Sequence, residues 1–294
     1  YRRQRQMCIR DRFRVESDLL GELKVPADAL YGVQTQRGIN NYHISRKTMR
    51  AYPDFIIAIA YVKLAAIETN HTLGVINDEI SGAIGQACRE IIAGKWHENF
   101  PIDMVQGGAG TSVNMNANEV IAGRGNALAG KRLLHPNDDI NMSQSSNDTF
   151  PTAMHIAAVL AMEDKLLPAL DTLIETFRVL EAKNEGIVKS GRTHLQDATP
   201  IKFSQEISGW RSSLQRDRQM LELSLPGLRE LALGGTAVGT GLNAPKGFGE
   251  KVAEEVSALT GKRFVTAPNK FHALSARDGL VFSHGALKAL AADL

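Results

Sequence analysis

The residues that could do chemistry fall into short polar segments, and the first of these lies at 106–119. Small residues there come directly before several hydroxyl and amide side chains, and glycine lets a ligand approach the backbone closely. Glu119 is predicted to begin a helix, and the unpaired amides at a helix N-terminus favour an anion such as a carboxylate or a phosphate. The alternative is a glycine-rich connection in which Thr111 or Ser112 is an ordinary helix cap. The segment matches neither a P-loop nor a dinucleotide fingerprint.

A second group of polar residues lies at 142–151. Ser145, Ser146 and Asn147 bring two hydroxyls and an amide to a predicted helix start, where hydrogen-bond donors suit a carboxylate. The alternative is that Asp148 or Asn147 only caps the helix. Both interpretations put polar groups at the same helix end, so the sequence predicts an anion site there without excluding a purely structural role.

A further polar segment lies at 189–200 and contains a histidine. Gly191 gives the backbone freedom, Thr193 supplies a hydroxyl, and His194 is of the residue type that titrates near neutral pH. A single histidine is most often structural. Its hydroxyl-bearing neighbour makes His194 a candidate for an acid or base.

Long helices must position these segments, because apolar residues recur at a 3.6-residue period through much of the chain. The predicted helices cover 53–67, 78–93, 152–182, 249–260 and 276–294, and a further one begins at about 200 or 203 and ends near 225. Pro53 and Pro151 are expected at helix starts, Gly94 at a helix end, and Pro168 at a kink. Residues 13–50 are expected to be irregular and partly extended. The best candidate for a strand is 263–266, and the core contacts expected in the last helix are Leu280, Phe282, Leu287 and Leu290.

Composition excludes several classes of function. The chain has 294 residues, of which 43% are hydrophobic, and a formal net charge of +2. Residues 1–12 hold five arginines and one aspartate and are interpreted as a non-native basic leader, which leaves the remainder at about −2. Binding to nucleic acid through bulk charge is therefore not expected. No apolar run is long enough to span a membrane, and the histidine and cysteine spacings predict no metal.

The cysteines indicate a reducing compartment, and a cytoplasmic location is expected. Cys8 lies in the leader, and Cys88 falls on a predicted apolar helix face with Ile84 and Ile91. Such a cysteine is expected to be a small buried hydrophobic residue and not a nucleophile. No cofactor is predicted.

Together with Leu134–Ile140 and Leu231–Asn243, these polar segments resemble the aspartase/fumarase superfamily, and they occur in the same order. The resemblance covers 13–294. It implies a mainly α fold, with a long helical bundle and a smaller, mostly helical N-terminal domain. The expected boundaries are 13–142 for the N-terminal domain and 143–294 for a truncated central bundle whose following C-terminal domain is missing. Members of this superfamily are homotetramers in which three subunits contribute loops to each active site.

The resemblance also implies roles for individual residues toward a small dicarboxylate. His194 is the expected acid or base. The residues expected to bind substrate are Ala109, Gly110, Thr111, Asn114, Ser145, Ser146, Asn147 and Thr193. A secondary dicarboxylate site is implied at His135, Pro136, Asn137 and Asp138.

The resemblance divides near residue 122 into two parts. Before residue 122, the loop with Ala109 is similar to aspartases, whereas the residues from about Gly125 onward are similar to fumarases. One hypothesis for this change is a join between paralogous genes. The favoured activity is fumarate hydration, and aspartate ammonia-lyase is the alternative. A third alternative is a non-catalytic fragment, because the superfamily's loop that carries the serine base is not found in these residues.

Overall fold

The computed structural model describes residues 13–294, and the predicted basic leader at 1–12, including Cys8, lies outside the described residues. Helices dominate the described part, as the mainly α prediction requires. Their bounds are α1 Val33–Asn41, α2 Pro53–Thr72, α3 Asp78–Ile92, α4 Thr111–Ala129, α5 Ser146–Ala161, α6 Leu167–Lys183, α7 Phe203–Leu228, α8 Phe248–Thr260, α9 Lys270–Ser275 and α10 Asp278–Asp293. Short 3₁₀ turns occur at Met49–Ala51 and His97–Asn99, and π-helical turns at Pro136–Ile140 and Met162–Leu166.

Strands form three small two-stranded sheets in the described residues. β1 Phe13–Asp18 and β2 Gly21–Pro26 pair antiparallel, as do β3 Val188–Thr193 and β4 Gln196–Lys202. β5 Glu230–Leu231 and β6 Val265–Thr266 pair in parallel. The prediction of a strand at 263–266 is therefore confirmed for two residues only.

The described chain forms two compact units. The first contains the described residues up to Ala157 together with Glu230–Ala276, and the second contains Ala158–Arg229 and Arg277–Leu294. The chain passes from one unit to the other after Ala157, Arg229 and Ala276, whereas the expected domain boundary lies after residue 142. That domain boundary stays a prediction.

The core of the first unit is built around α2, which packs against α3 and α8. Pro53 lies in the first turn of α2, where a missing backbone N–H costs nothing. Ile56, Ile59 and Leu64 on α2 are almost completely buried. Each such side chain stabilises the fold by about 1.5–3 kcal/mol relative to an exposed one. The predicted helix is confirmed and extends to Thr72.

Helix α3 confirms the prediction made for 78–93. The Asn77 side chain accepts a hydrogen bond from the Ile80 N–H, and Gly94 follows the helix end with a φ of 87°. Cys88 is fully buried, as predicted, and burial raises the pKa of its thiol to about 12. The thiol is thus unreactive at neutral pH.

The second unit is a bundle in which α7 packs against both α6 and α10. The predicted long helix at 152–182 is confirmed in outline but begins earlier, at Ser146, so Pro151 lies inside α5 and not at its start. The chain stays helical through the π-helical turn at Met162–Leu166, and Pro168 lies in the first turn of α6. The break expected at Pro168 therefore falls in the π-helical turn directly before it.

Two other predictions are corrected by the structure. The opening segment at 13–50 is more regular than expected, since it contains the β1–β2 hairpin and α1. In α10, Phe282 is 56% exposed and Leu287 is 38% exposed, whereas Ala286 and Leu290 are buried. Helix α10 has apolar residues on more than one face, and the second unit buries only one of these faces. Apolar periodicity alone could not show which face is buried.

No helix within residues 13–294 combines the length and apolar character needed to cross a membrane.

Candidate functional site

Helix α4 begins at Thr111, eight residues before the predicted start at Glu119. Gly110 is its N-cap with a φ of 75°, and no side chain caps the helix, so the prediction of a Thr111 or Ser112 cap is wrong. A Cβ at Gly110 would lie 2.1–2.7 Å from atoms of the Phe150 side chain. Only glycine therefore satisfies both the left-handed backbone and the close approach of Phe150.

Glu119 lies inside α4 and holds the start of α1. Its carboxylate accepts hydrogen bonds from the backbone N–H groups of Gly32, Gln34 and Thr35, at 2.8, 2.8 and 2.9 Å. Burial raises the pKa of Glu119, although these hydrogen bonds oppose the change. A helix without a side-chain cap of its own is thus capped by a carboxylate more than eighty residues away in sequence.

Helix α5 begins with a reciprocal pair of hydrogen bonds. The Ser145 Oγ accepts from the Asn147 N–H at 3.3 Å, and the Ser145 N–H donates to the Asp148 Oδ1 at 2.9 Å. The second bond is one half of a capping box, with aspartate in place of glutamate, whereas the first bond comes from the second helical residue and not from the third. The N-cap is therefore Ser145 and neither Asp148 nor Asn147, although the Asp148 side chain contributes to the cap by accepting from the Ser145 N–H.

Asp148 also joins α5 to the glycine-rich loop at 232–243. Its Oδ2 accepts from the N–H groups of Gly234 at 3.0 Å and Thr236 at 2.7 Å. The Asn147 Nδ2 donates to the Ala237 carbonyl at 2.8 Å. Burial raises the pKa of Asp148 to about 6, against the effect of its three backbone donors and of Lys63. The carboxylate therefore carries a charge at neutral pH while fully buried.

A cavity of about 420 Å³ lies between these two segments. Its size is in the range of small-molecule sites. Its lining is mostly hydroxyl and amide side chains: Asn137, Asn141, Ser143, Gln144, Ser145, Ser146, Thr236, Ala237, Leu242 and Asn243. Thr236 and Asn243 have positive φ values of 56° and 69°. Such backbone conformations are uncommon outside glycine and concentrate at functional sites.

Asn114 fixes the orientation of the Ser146 hydroxyl. The Asn114 Nδ2 donates to the Ser146 Oγ at 2.9 Å and to the Asn141 Oδ1 at 3.0 Å. Since the Ser146 oxygen already accepts this bond, its own O–H remains able to donate to a molecule in the cavity. The Asn114 side chain does not line the cavity, and its Oδ1 is buried without a partner.

Two lysines of the first unit have few contacts with water: Lys63 is buried and contacts residues of the cavity wall, and Lys270 is half-buried. The Lys63 Nζ donates to the Gln144 Oε1 at 3.0 Å and to the Asn141 Oδ1 at 3.2 Å. The Lys270 Nζ donates to the carbonyls of Leu231 and Leu233, both at 2.8 Å. Burial lowers the pKa of Lys63 to about 7 and that of Lys270 to about 8, while the Asp148 carboxylate opposes both shifts.

The other candidate residues lie elsewhere. Ala109 and Thr111 are exposed at the start of α4 and do not line the 420 Å³ cavity. Thr193 and His194 belong to the second unit, where they lie at the tip of the β3–β4 hairpin. His194 and Leu195 form the two-residue turn with φ values of 48° and 65°, as a type I′ turn requires. Both residues are exposed.

The residues of the expected secondary site form a compact turn. His135 precedes the π-helical turn, where its N–H donates to the Asp139 Oδ2 at 2.7 Å and its Nδ1 accepts from the Asp138 N–H at 3.3 Å. His135, Pro136 and Asn137 line a larger cavity of about 1430 Å³ in the first unit, and Asp138 does not. Asn137 lines both cavities. These functional assignments stay predictions.

Several residues around the 420 Å³ cavity were not singled out from the sequence. Thr236 and Asn243 come from a loop whose contact with α5 depends on tertiary structure. The position of Lys63 could have been noticed in the sequence, because the helical period of α2 places an apolar residue there. Within residues 13–294, no cluster of three or more His, Cys, Asp or Glu side chains could hold a metal ion.

Comparison with known proteins gives a consistent result. A family described as Lyase matches residues 21–294. The chain is 53% identical over 286 residues to fumarate hydratase class II of Bacillus cereus, and 52% identical over 287 residues to that of Campylobacter jejuni. Each alignment covers 96% of this chain and 62% of the relative. The chain therefore spans about 62% of the length of these curated relatives.

Solved structures agree with the sequence comparison. Class II fumarase from Schistosoma mansoni superposes with a TM-score of 0.93 at 38% identity, covering 96% of this chain and 63% of that one. A fumarate lyase:delta crystallin from Brucella melitensis gives a TM-score of 0.92 at 39% identity, with 96% and 62% covered. The predicted mainly α fold and its resemblance are confirmed.

Proposed function

Because the chain belongs to the lyase family that matches residues 21–294, we propose that it takes part in the reversible addition of water to fumarate, giving malate. The observation that carries this proposal is the cavity at the start of α5, where the Ser146 hydroxyl is held by Asn114 with its proton able to reach a ligand. The similarity to fumarate hydratases extends over 286 residues and so includes both sides of residue 122. Ammonia addition, giving aspartate, is the alternative reaction.

The arrangement around the cavity fits a dicarboxylate ligand. The start of α5 brings the hydroxyls of Ser145 and Ser146 to one wall, at the positive end of the helix dipole. Lys63 adds a positive charge behind that wall. Removal of a proton from the carbon next to a carboxylate leaves that carboxylate group doubly charged, and fixed donors stabilise this charge best when they are aimed at it beforehand. Ala109, Gly110, Thr111 and Asn147 do not line this cavity, and their proposed role in binding the dicarboxylate rests on the family resemblance.

His194 is the proposed acid or base, with Thr193 beside it. A positioned histidine can take the proton or assist the leaving hydroxyl, directly or through a water molecule. Its position at the tip of an exposed hairpin supports a role toward another copy of the chain, since a tight turn presents the imidazole away from its own sheet. We therefore include His194 in a site shared between subunits.

A homotetramer is the proposed assembly. Helices α7 and α10 expose large apolar side chains, including Leu223 at 69%, Val281 at 68%, Phe282 at 56% and Trp210 at 48%. Exposed apolar surface of this kind marks a surface for association. Light scattering coupled to size exclusion should give four times the 32.0 kDa chain mass, and a Phe282→Glu variant should give smaller species. A monomer that is stable at all concentrations would contradict this assembly.

The reaction is tested first by binding. Fumarate should bind to the chain in a calorimetric titration, and Ser146→Ala should weaken binding about 10-fold or more, because a hydrogen bond to a charged group contributes about 1.5–3 kcal/mol. Ser81→Ala is the matched control, since Ser81 is a partly exposed serine in the first turn of α3. Unchanged binding in Ser146→Ala would remove the basis of this proposal.

Turnover distinguishes the alternatives. Fumarate consumption should not depend on ammonium if the chain is a hydratase. A requirement for ammonium would identify aspartate ammonia-lyase instead. Binding without turnover would support the third alternative, a non-catalytic fragment, in which case activity belongs to a longer polypeptide.

A cytoplasmic location is also proposed. Cys88 carries a free thiol inside the first unit, and proteins of reducing compartments keep such thiols.

A further inference from the structure

Lys63 is a lysine in the interior of an apolar helix. It lies in α2 between Val62 and Leu64, and its side chain is 1% exposed. Burying an ammonium group costs several kcal/mol unless other groups compensate for the lost water. A lysine retained at such a position requires an explanation in its surroundings.

The partners of Lys63 are neutral amides and not carboxylates. Its Nζ donates to the Asn141 Oδ1 and the Gln144 Oε1, and both of these residues line the 420 Å³ cavity. The Asn141 Oδ1 also accepts from the Nδ2 groups of Asn114 and Asn118, at 3.0 and 3.2 Å. One amide oxygen thus receives three donors, which concentrates positive charge on the inner side of the cavity wall.

The charged groups near Lys63 do not neutralise it directly. Asp148 attracts the ammonium at longer range, but both oxygens of Asp148 accept from backbone N–H groups. Cys88 is the other titratable group facing Lys63, and its thiol is neutral at physiological pH. Within residues 13–294 no carboxylate forms a salt bridge with Lys63. The ammonium lacks a counterion in direct contact.

We propose that Lys63 is a positioning residue for the dicarboxylate, which supplies the missing counterion across the Asn141–Gln144 wall. This inference rests on the proposed function of the cavity. Lys63 acts in two ways: it fixes the 140–144 turn through the two amide oxygens, and its charge attracts a dianion through a region of low dielectric constant, where charges interact more strongly than in water.

A lysine that serves as counterion to the dicarboxylate differs in its proton uptake on binding from a purely structural lysine. Since burial lowers the pKa of Lys63 to about 7, the unliganded site is only partly protonated just above neutral pH. A bound dianion stabilises the ammonium form and must raise that pKa. Binding at pH 7.5 should therefore take up a fraction of a proton, at most about 0.8 per site, and affinity should fall as the pH rises above 7.

Calorimetric titration of the chain with fumarate at pH 7.5, in buffers of different ionisation enthalpy, measures this proton uptake. In Lys63→Met the uptake should fall by at least half and the affinity by about 10-fold or more. Lys63→Arg keeps a charge that does not titrate, so it should lose the uptake and retain more affinity than Lys63→Met. Lys251→Met, at an exposed lysine of α8, should behave as the wild type.

The outcomes separate the two proposals. If fumarate binds and Lys63→Met keeps both affinity and proton uptake, Lys63 is only structural and the inference is overturned. If the wild-type chain does not bind fumarate, the proposed function fails, and this inference fails with it. If Lys63→Met does not fold, the proton uptake of the wild-type chain is the deciding measurement. Fumarate binding without proton uptake between pH 7 and 9 would contradict the inference.

Discussion

Replacing Glu119 with alanine is expected to lower the free energy of unfolding of the first unit by about 3–5 kcal/mol. The variant leaves the N–H groups of Gly32, Gln34 and Thr35 without their acceptor at buried or partly buried positions. An unsatisfied buried donor costs about 1–3 kcal/mol, and the Glu16 carboxylate, which accepts from the Val33 N–H at 3.0 Å, is the acidic group that remains at the start of α1. The effect should exceed that of most single substitutions in the chain.

The measurement uses tryptophan fluorescence during urea denaturation. The chain has two tryptophans, Trp96 in the first unit and Trp210 in the second, so a Trp210→Phe background reports the first unit alone. Glu79→Ala is the matched control, because Glu79 is an exposed glutamate whose salt bridge with Lys131 contributes at most about 1 kcal/mol. Equal midpoints for Glu119→Ala and Glu79→Ala would show that the buried carboxylate has no special role.

Replacing Asp148 with alanine should abolish fumarate binding and destabilise the first unit by about 2–3 kcal/mol at pH 7. Asp148 holds the Ser145 end of α5 and the loop containing Gly234 and Thr236 together, so its loss releases both walls of the 420 Å³ cavity. Fumarate titration and urea denaturation measure the two effects. Asp28→Ala, at an exposed aspartate, is the control for the loss of one negative charge. Normal binding by Asp148→Ala would contradict the role assigned to this carboxylate.

The same variant has a pH signature. The pKa of Asp148 in the folded state is about 6, above its value of 3.8 in an unfolded chain, so the folded state binds the extra proton between these values. Stability contributed by this group is therefore highest at low pH and is lost as the pH rises from about 4 to 6. The stability difference between wild type and Asp148→Ala should shrink by about 1–3 kcal/mol across that window and stay constant above it. A difference that grows with pH would show that the carboxylate is stabilised, not strained, by its surroundings.

Much of the fold could be predicted from the sequence because a helix produces a periodic pattern of apolar residues within one segment. Helices α2, α3, α7 and α8 follow from apolar periodicity with Pro53 and Gly94 as boundary signals. The β3–β4 hairpin could not be predicted from the sequence, because His194 and Leu195 form its turn in place of the Asn-Gly pair that usually marks a type I′ turn. The start of α4 was missed because Gly110 is not a side-chain cap.

The polar segments, their order and the family they resemble were determined by the sequence alone, because residue type and spacing are local properties. Which of those residues meet was decided by the tertiary structure. Lys63 reaches Asn141 across 78 positions, and Asp148 reaches Thr236 across 88. Such contacts arise only when the packing of apolar helices closes long loops, and no periodicity within one segment specifies them. The sequence thus predicts an anion site in its loops, whereas the contacts of the buried Lys63 and Asp148 with the cavity wall are seen only in the folded structure.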